Sequence, residues 1–157
     1  MTDVNSPQRC FAHISSVKAN CLINTNKLTA VKEIFDNNRI HHVPVVRYKE
    51  LVGIISKTDF MHFLRGFNRN QEDRFVNEAR MRAYNVEDIM TKGIAKLSPD
   101  DRINVALEVF LENRFHAVPV VSENGELEGI LTTFDIIKAI AATKVTPKEI
   151  LESKKQH

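Results

Sequence analysis

Cysteine, tryptophan and long apolar runs are scarce or missing in this 157-residue sequence. The two cysteines, Cys10 and Cys21, form no Cys-x-x-Cys pair and are too few for a disulfide framework. We therefore expect reduced thiols and a cytoplasmic protein. No apolar run approaches the roughly 18 residues of a membrane span. Residues 1–10 are polar and do not resemble a signal peptide, so we expect no membrane contact.

An excess of one charge is also lacking, because 22 Lys and Arg residues oppose 20 Asp and Glu residues. The net charge of +2 is too small for the strongly basic face of a nucleic-acid binder. An anionic small ligand needs only a local positive potential and stays open. The sequence has no Gly-x-Ser-x-Gly elbow, no Walker loop and no His-Glu-x-x-His motif. We therefore expect no catalytic residues and no obligatory cofactor.

The histidines His41, His42 and His116 do not predict a metal site. No third ligand stands at metal-site spacing from the adjacent pair, and neighbouring residues of a strand point to opposite faces of its sheet. A half-buried or ligand-facing histidine is the better interpretation.

Repetition is the main feature that is present. Residues 34–46 (IFDNNRIHHVPVV) and 109–121 (VFLENRFHAVPVV) are identical at eight of thirteen positions at an offset of 75. The offset becomes 76 where residues 53–59 match residues 129–135. The extra residue falls within residues 122–126, which contain the tight-turn signal Asn-Gly. Because insertions belong in turns, the shift supports two copies of one unit.

Each copy has the pattern of a strand, a helix, two further strands and a second helix. The predicted first strands are 21–23 and 95–97, and Ser98 to Asp101 predicts a helix start. The fold class is therefore mixed α/β (α+β), with two β-α-β-β-α repeats about a pseudo-two-fold axis. One small sheet cannot bury both faces, so we expect the copies to pack through their sheets.

Pro44 and Pro119 should then occupy equivalent positions. The predicted divisions are an N-terminal tail (1–13), a first repeat (14–65), a solvated helical linker (66–85), a second repeat (86–142) and a C-terminal tail (143–157). Phe67, Phe75 and Met81 are the linker residues that could pack it onto the module or onto a partner.

Three motifs in order resemble the CBS domain: Val-x-Asp-Ile-Met-Thr at residues 86–91, His-x-Val-Pro-Val-Val, and Gly-x-x-Ser/Thr-x-x-Asp. The resemblance covers residues 14–142 and occurs twice, although residues 14–16 (Ile-Ser-Ser) replace the Asp-Ile-Met of the opening. It implies a non-enzymatic regulatory module that binds AMP, ADP or ATP between its copies and signals to a separate effector protein. A ligand-free dimerisation scaffold and a sensor of S-adenosylmethionine are the alternatives.

The resemblance implies two ligand sites, each built from the Gly-x-x-Ser/Thr-x-x-Asp segment of one copy and from the first strand and pre-proline segment of the other. One would join Ile130, Thr132 and Asp135 with Asn20, Ile40 and His41. The other would join Ile54, Ser56, Thr58 and Asp59 with Ala95, Phe115 and His116. The second is favoured, because Phe134 stands where the first would need the hydroxyl of Thr58.

Each of these motifs also has a purely structural interpretation. A Ser or Thr three residues before an Asp at a helix start is a variant of the capping box. In the family, the same carboxylate accepts hydrogen bonds from a ribose, and the helix N-terminus favours a phosphate. Ile40 and Phe115 would flank an adenine or simply pack in the core. Gly53 and Gly129 would end strands or let the backbone approach a ligand.

The resemblance also implies a homodimer in which the second helices of the copies pair. Their predicted apolar faces contain Phe60, Phe63, Leu64, Ile136, Ile137 and Ile140.

Overall fold

The computed structural model of the chain describes residues 21–64, 71–113 and 116–142. Both predicted tails, and the predicted site residues Asn20 and Phe115, lie outside these residues, as does Phe67 of the linker.

The first copy forms a three-stranded sheet with two helices. Its elements are β1 (Leu22–Ile23), α1 (Leu28–Asn37), β2 (His42–Arg47), β3 (Glu50–Ser56) and α2 (Lys57–Leu64). Strand β1 is parallel to β2, and β2 is antiparallel to β3. The apolar residues of α1 recur at helical spacing, so Leu28, Val31 and Phe35 all face the core.

The linker and the second copy supply the other elements. Helix α3 (Gln71–Ala83) is followed by a single 3₁₀ turn, and then by α4 (Ile103–Asn113), β4 (Ala117–Val121), β5 (Leu127–Thr132) and α5 (Thr133–Ala141). Strands β4 and β5 pair antiparallel.

The two hairpins have the same register, which confirms the predicted repeat. Pro44 lies opposite Ile54, and Pro119 lies opposite Ile130. In both hairpins the pairing register then shifts, after Val45 in the first and after Val120 in the second, as it does at a β-bulge.

The inserted residue lies in the second turn, as the change of offset predicts. The first turn is short, and both Tyr48 (φ 49°) and Lys49 (φ 74°) adopt the left-handed conformation in it. Five residues lie between the paired Val121 and Leu127 in the second turn, against four between the paired Val46 and Leu51 in the first, and Gly125 (φ 79°) adopts the left-handed conformation there. Glycine reaches this conformation without the steric cost that a side chain adds.

The second copy departs from the prediction in two places. The predicted strand at 95–97 is wrong, because Leu97 makes only one isolated parallel bridge, to Val120. Its N–H donates to Pro119 and its carbonyl accepts from Val121, and the following Ser98-Pro99 cannot extend this pairing, since proline has no N–H. Helix α4 also begins only at Ile103, because Ser98 forms a separate turn in which its N–H donates to Asp101 Oδ2 at 2.7 Å.

The copies join through the turns of their hairpins. The N–H of Leu51 donates to the carbonyl of Gly125 at 3.1 Å, and the N–H of Leu127 donates to the carbonyl of Lys49 at 3.0 Å. This reciprocal pair is the contact expected of two units related by a pseudo-two-fold axis.

The opening of the second repeat packs on the first copy. Val86 is fully buried in the core of the first copy, and Met90 packs against that core. Thr91 and Ile54 exchange two backbone hydrogen bonds, at 2.9 and 3.0 Å. This segment therefore covers β3, the strand that leads into α2.

Helix α3 also covers the first copy rather than lying free in solvent. Met81 is buried in the core of the first copy, the N–H of Leu28 donates to the carbonyl of Tyr84 at 3.2 Å, and the ring of Phe63 meets that of Tyr84 edge-on at 5.3 Å. Phe75, in contrast, is 75% exposed. Within the described residues, no helix has both the length and the apolar character needed to cross a membrane.

The crossing of Met90 and Thr91 over Gly53 generates a stability prediction. A Cβ added at Gly53 would lie 2.7 Å from Met90 Sδ and 2.8 Å from the carbonyl oxygen of Thr91. We expect Gly53→Ala to lower the free energy of unfolding by about 1–3 kcal/mol, the usual cost of overpacking. Urea denaturation measures the change. In the double variant Gly53→Ala/Met90→Ala only the sulfur clash is relieved, so we expect the Ala substitution to cost less there than in the native background. An unchanged midpoint for Gly53→Ala would contradict the crossing.

Candidate functional site

The start of α2 holds the first of the two predicted hydroxyl–carboxylate pairs. Ser56 Oγ donates to Asp59 Oδ2 at 2.6 Å, and the N–H of Asp59 donates to Ser56 Oγ at 3.0 Å. Because the pair is exposed, both side chains are accessible from solvent. Thr58, between them, is exposed as well.

The start of α5 repeats the arrangement in the second copy. The N–H and Oγ1 of Thr132 donate to Asp135 Oδ2 at 2.9 and 2.6 Å, and the N–H of Asp135 donates back to Thr132 Oγ1 at 3.1 Å. This is a complete capping box. The structural interpretation of both motifs is thus realised. The bonds described engage Oδ2 of each carboxylate.

Histidines from both copies lie around the first of these pairs. His42 pairs with Ser56 across β2 and β3 and is half-buried. It is close enough to Asp59, and to His116 of the second copy, for their charges to act on its pKa. Burial is the largest cause and lowers the pKa of His42, the charges of His116 and His41 lower it further, and Asp59 opposes them. His42 is therefore the described residue on which charges from both copies act.

The apolar residues predicted for the sites have structural contacts of their own. Ile40 packs against the core of the first copy and Ala95 against that of the second. The backbone of Ile54 is occupied by its pairing with Thr91, and Ile130 is half-buried opposite Pro119.

His41 and His116 are exposed at equivalent points before β2 and β4. The carbonyl of His41 accepts from the N–H of Lys57 at 2.8 Å, and that of His116 accepts from the N–H of Thr133 at 3.1 Å. Each pre-proline segment is therefore fixed to the start of the second helix in its own copy.

A cavity of about 800 Å³ lies at the other end of β2, between the edge of the first sheet and β5. None of the predicted site residues lines it. Its lining includes Ile23, Arg47, Lys49, Glu126 and Glu128. The sequence offered no motif that would mark this place, since the lining mixes both charge signs and belongs to two copies. Among the described residues there is no cluster of His, Cys, Asp or Glu side chains that could hold a metal ion.

With this geometry in place, the class of protein follows. The sequence profile of the CBS domain matches residues 21–66 and 86–142. The chain belongs to the CBS-domain family and carries two copies of the domain.

This chain is similar to other proteins in sequence and to several solved structures in fold. The uncharacterized protein MJ1225 of Methanocaldococcus jannaschii is 32% identical over 120 residues, which cover 73% of this chain but only 41% of that protein. The crystal structure of CBSX2 in complex with AMP is similar with a TM-score of 0.68 at 21% identity, covering 84% of this chain and 96% of that one. The CBS domain pair of MJ0100, in complex with 5′-methylthioadenosine and S-adenosyl-L-methionine, gives a TM-score of 0.70 at 22% identity, covering 88% and 100%. At these identities the solved structures establish the fold.

The capping box at α5 predicts a stability effect that is independent of any ligand. Thr132→Val keeps the branched shape but removes the hydroxyl that accepts from the N–H of Asp135. We expect it to lower the free energy of unfolding by about 1 kcal/mol, the usual value of such a cap. The matched control, Thr132→Ser, keeps the hydroxyl and should stay closer to the native value. Urea midpoints of the ligand-free variants measure this, and equal midpoints for Thr132→Val and the native chain would contradict a capping contribution.

Proposed function

We propose that this chain is a non-catalytic regulatory module that binds an adenine nucleotide (AMP, ADP or ATP) between its two CBS copies and signals to a separate effector protein. The alternatives are a ligand-free dimerisation scaffold and a sensor of another adenosyl ligand, such as S-adenosylmethionine.

The observation that carries the proposal is that charges from both copies act on His42, which pairs with Ser56 at the end of β3. Ser56 and Asp59 belong to the first copy and His116 to the second, and His42 lies within the electrostatic reach of both Asp59 and His116. A ligand bound there would contact both copies at once, which is what a signalling module requires, because binding then changes the relation between the copies.

The chemistry of these groups suits a nucleotide. The first N–H groups of a helix and the positive end of its dipole favour a phosphate, and the exposed hydroxyl of Thr58 adds a donor beside it. The free oxygen of the Asp59 carboxylate can accept from a ribose hydroxyl in a charge-assisted hydrogen bond. The pair Thr132–Asp135 offers the same carboxylate at α5, with Phe134 in place of the second hydroxyl.

The solved relatives support the adenosine class without choosing within it. One is bound to AMP, and another to 5′-methylthioadenosine and S-adenosyl-L-methionine. The shared part of these ligands is the adenosine, which is the part that the Asp59 and Asp135 carboxylates would recognise. Thermal shift against AMP, ATP, S-adenosylmethionine and adenosine separates the candidates. A ligand at 100 times its Kd should add about 2.7 kcal/mol of stability.

Removing the carboxylate charge should weaken nucleotide binding while leaving the helix cap in place. The capping hydroxyls of Ser56 and Thr132 are unchanged in these variants, and an Asn three residues later still offers one acceptor oxygen, but it lacks the charge and the second acceptor oxygen. We expect Asp59→Asn and Asp135→Asn each to weaken binding at its own site roughly tenfold or more, since a hydrogen bond to a charged group contributes about 1.5–3 kcal/mol. Titration calorimetry with AMP measures the affinities.

The control is Asp36→Asn, which removes an exposed carboxylate from α1 and should leave AMP affinity unchanged. Unchanged affinity in both site variants, with native folding, would leave the carboxylates as caps and would favour the scaffold function.

The proposed homodimer would use the exposed face of α5. Phe60, Leu64 and Ile136 are buried, so these three predicted interface residues pack in the hydrophobic cores of the copies and are not available to a second chain. Ile137 and Ile140 are 62% and 63% exposed. These apolar side chains recur on one side of the helix, which is the property expected of a surface that a second copy covers.

A charge on that face should therefore separate the dimer. We expect the native chain to sediment at micromolar concentration with twice the mass of one chain, and Ile140→Lys to sediment as a single chain. Because Ile140 is exposed, its substitution should leave the unfolding midpoint of the monomer nearly unchanged. Val76→Lys, on α3, is the control at an exposed apolar position elsewhere. A dimeric mass for Ile140→Lys would rule out α5 as the interface.

A further inference from the structure

The cavity at the turn end of β2 lies away from the residues proposed to bind a nucleotide. The apolar part of its lining contains Ile23, Val46 and Leu127. Ile23 is 53% exposed, so apolar surface is available to a ligand there. The volume of about 800 Å³ lies in the range of cavities that hold small organic molecules.

Charges of opposite sign stand on the two sides of this cavity. Arg47 and Lys49 belong to the first copy, and Glu126 and Glu128 belong to the second. Arg47 Nη2 lies 3.7 Å from Glu87 Oε2. Lys49, Glu126 and Glu128 form no ion pair with another residue that the structure describes. A positive side and a negative side are therefore both available to a ligand.

Hydrogen bonds fix both sides of the cavity before a ligand binds. The N–H of Leu127 donates to the carbonyl of Lys49 at 3.0 Å, which ties the first turn to β5. Asn24 is 5% exposed, and its Nδ2 donates at 2.7 Å to Glu87 Oε2, the oxygen that Arg47 also approaches. A ligand that enters a fixed cavity does not have to order the groups that bind it.

Tyr48 stands at the rim of the cavity in a conformation that is costly for its side chain. It forms the two-residue turn between Arg47 and Glu50 together with Lys49, and both turn residues have positive φ, 49° and 74°. Turns of this kind favour Asn-Gly, and bulky residues are rare in them. Tyr48 is 95% exposed, so its ring has little packing in the chain that could offset this strain. Strain of this kind points to a function of the ring.

We propose that this cavity is a second ligand site, separate from the nucleotide site, and that it binds an α-amino acid with an aromatic side chain. The ligand carboxylate faces Lys49, and the ligand ammonium group faces Glu126 and Glu128. The aromatic side chain lies on the apolar lining, and the exposed ring of Tyr48 packs against it.

The charges of the cavity select a ligand that carries both signs. A ligand with only a carboxylate would bring its charge close to Glu126 and Glu128 without satisfying them, and a ligand with only an ammonium group would do the same to Lys49. A zwitterion pairs with both sides at once. Because a like charge disfavours a partner as much as an opposite charge favours it, specificity comes from both effects.

Titration calorimetry on the full chain tests this selection with three matched compounds. L-Phenylalanine carries both charges, 3-phenylpropionate carries only the carboxylate, and 2-phenylethylamine carries only the ammonium group. We expect L-phenylalanine to bind about tenfold more tightly than either analogue, which is the effect of one charge-assisted hydrogen bond. No binding of L-phenylalanine, or equal affinities for the three compounds, would overturn the proposal.

Charge variants assign the two ends of the ligand. Lys49→Gln should weaken the binding of L-phenylalanine and 3-phenylpropionate and should not weaken that of 2-phenylethylamine. The double variant Glu126→Gln/Glu128→Gln should show the opposite pattern. Glu108→Gln, which removes an exposed carboxylate from α4, is the control and should bind all three compounds as the native chain does. Affinities that do not respond to the cavity variants would overturn the proposal.

Tyr48→Asn separates the ring from the strain that it causes. Asn accepts the left-handed conformation more readily than Tyr, so the urea midpoint of the ligand-free chain should rise. The affinity for L-phenylalanine should fall, because the ring is lost. An affinity equal to that of the native chain would remove Tyr48 from the rim of the site and would overturn the proposal.

Asp59→Asn separates the cavity from the proposed nucleotide site. This variant should bind L-phenylalanine as the native chain does, because Asp59 does not line the cavity. A loss of L-phenylalanine binding in Asp59→Asn would place the amino acid in the nucleotide site and would overturn the second site. None of these results depends on AMP, so the proposed function stands or falls on its own experiments.

Discussion

In the first copy Pro44 lies opposite Ile54 and His42 opposite Ser56, and this antiparallel register positions the groups at the start of α2. A slip of one residue would turn every side chain of β3 to the other face of the sheet. The register ends β3 at Ser56, so α2 starts with its cap beside His42. It also leaves Gly53 and Ile54 on the surface that Met90 and Thr91 cover. Packing of the copies and formation of the site thus depend on one hairpin.

The two copies are alike in sequence and unlike in their surroundings. Helix α3 and the segment ending at Thr91 both pack on the first copy, where Met81 and Val86 join its core. The helices of the second copy keep apolar side chains in solvent, including Leu111 at 80% and Ile137 at 62% exposure. The two similar sequences therefore form one copy whose core is extended by neighbouring segments and one copy whose helices leave apolar side chains exposed. That difference is why the proposed dimer contact falls on α5.

Several features could be predicted from the sequence because they depend on residues a few positions apart. The hairpins, the inserted turn residue and the Ser or Thr cap of each second helix are of this kind, and the structure contains all of them. The strand at 95–97 was predicted wrongly because its pairing depends on distant partners, of which only Pro119 and Val121 reach Leu97. The role of Gly53 was also missed, since nothing near it in sequence indicates that Met90 crosses above it.

The sequence by itself determined the number of copies, the presence of a hairpin in each copy and the hydroxyl residues that cap each second helix. Periodicity, turn residues and caps act over a turn of helix or a pair of strands. They can therefore be recognised in the sequence without knowing which distant segments pack against them. Only the tertiary structure decided that residues 86–91 cover the first copy, and that His42 comes within the electrostatic reach of His116. Both depend on contacts between segments dozens of residues apart, whose positions follow from how the two copies pack and not from any local pattern.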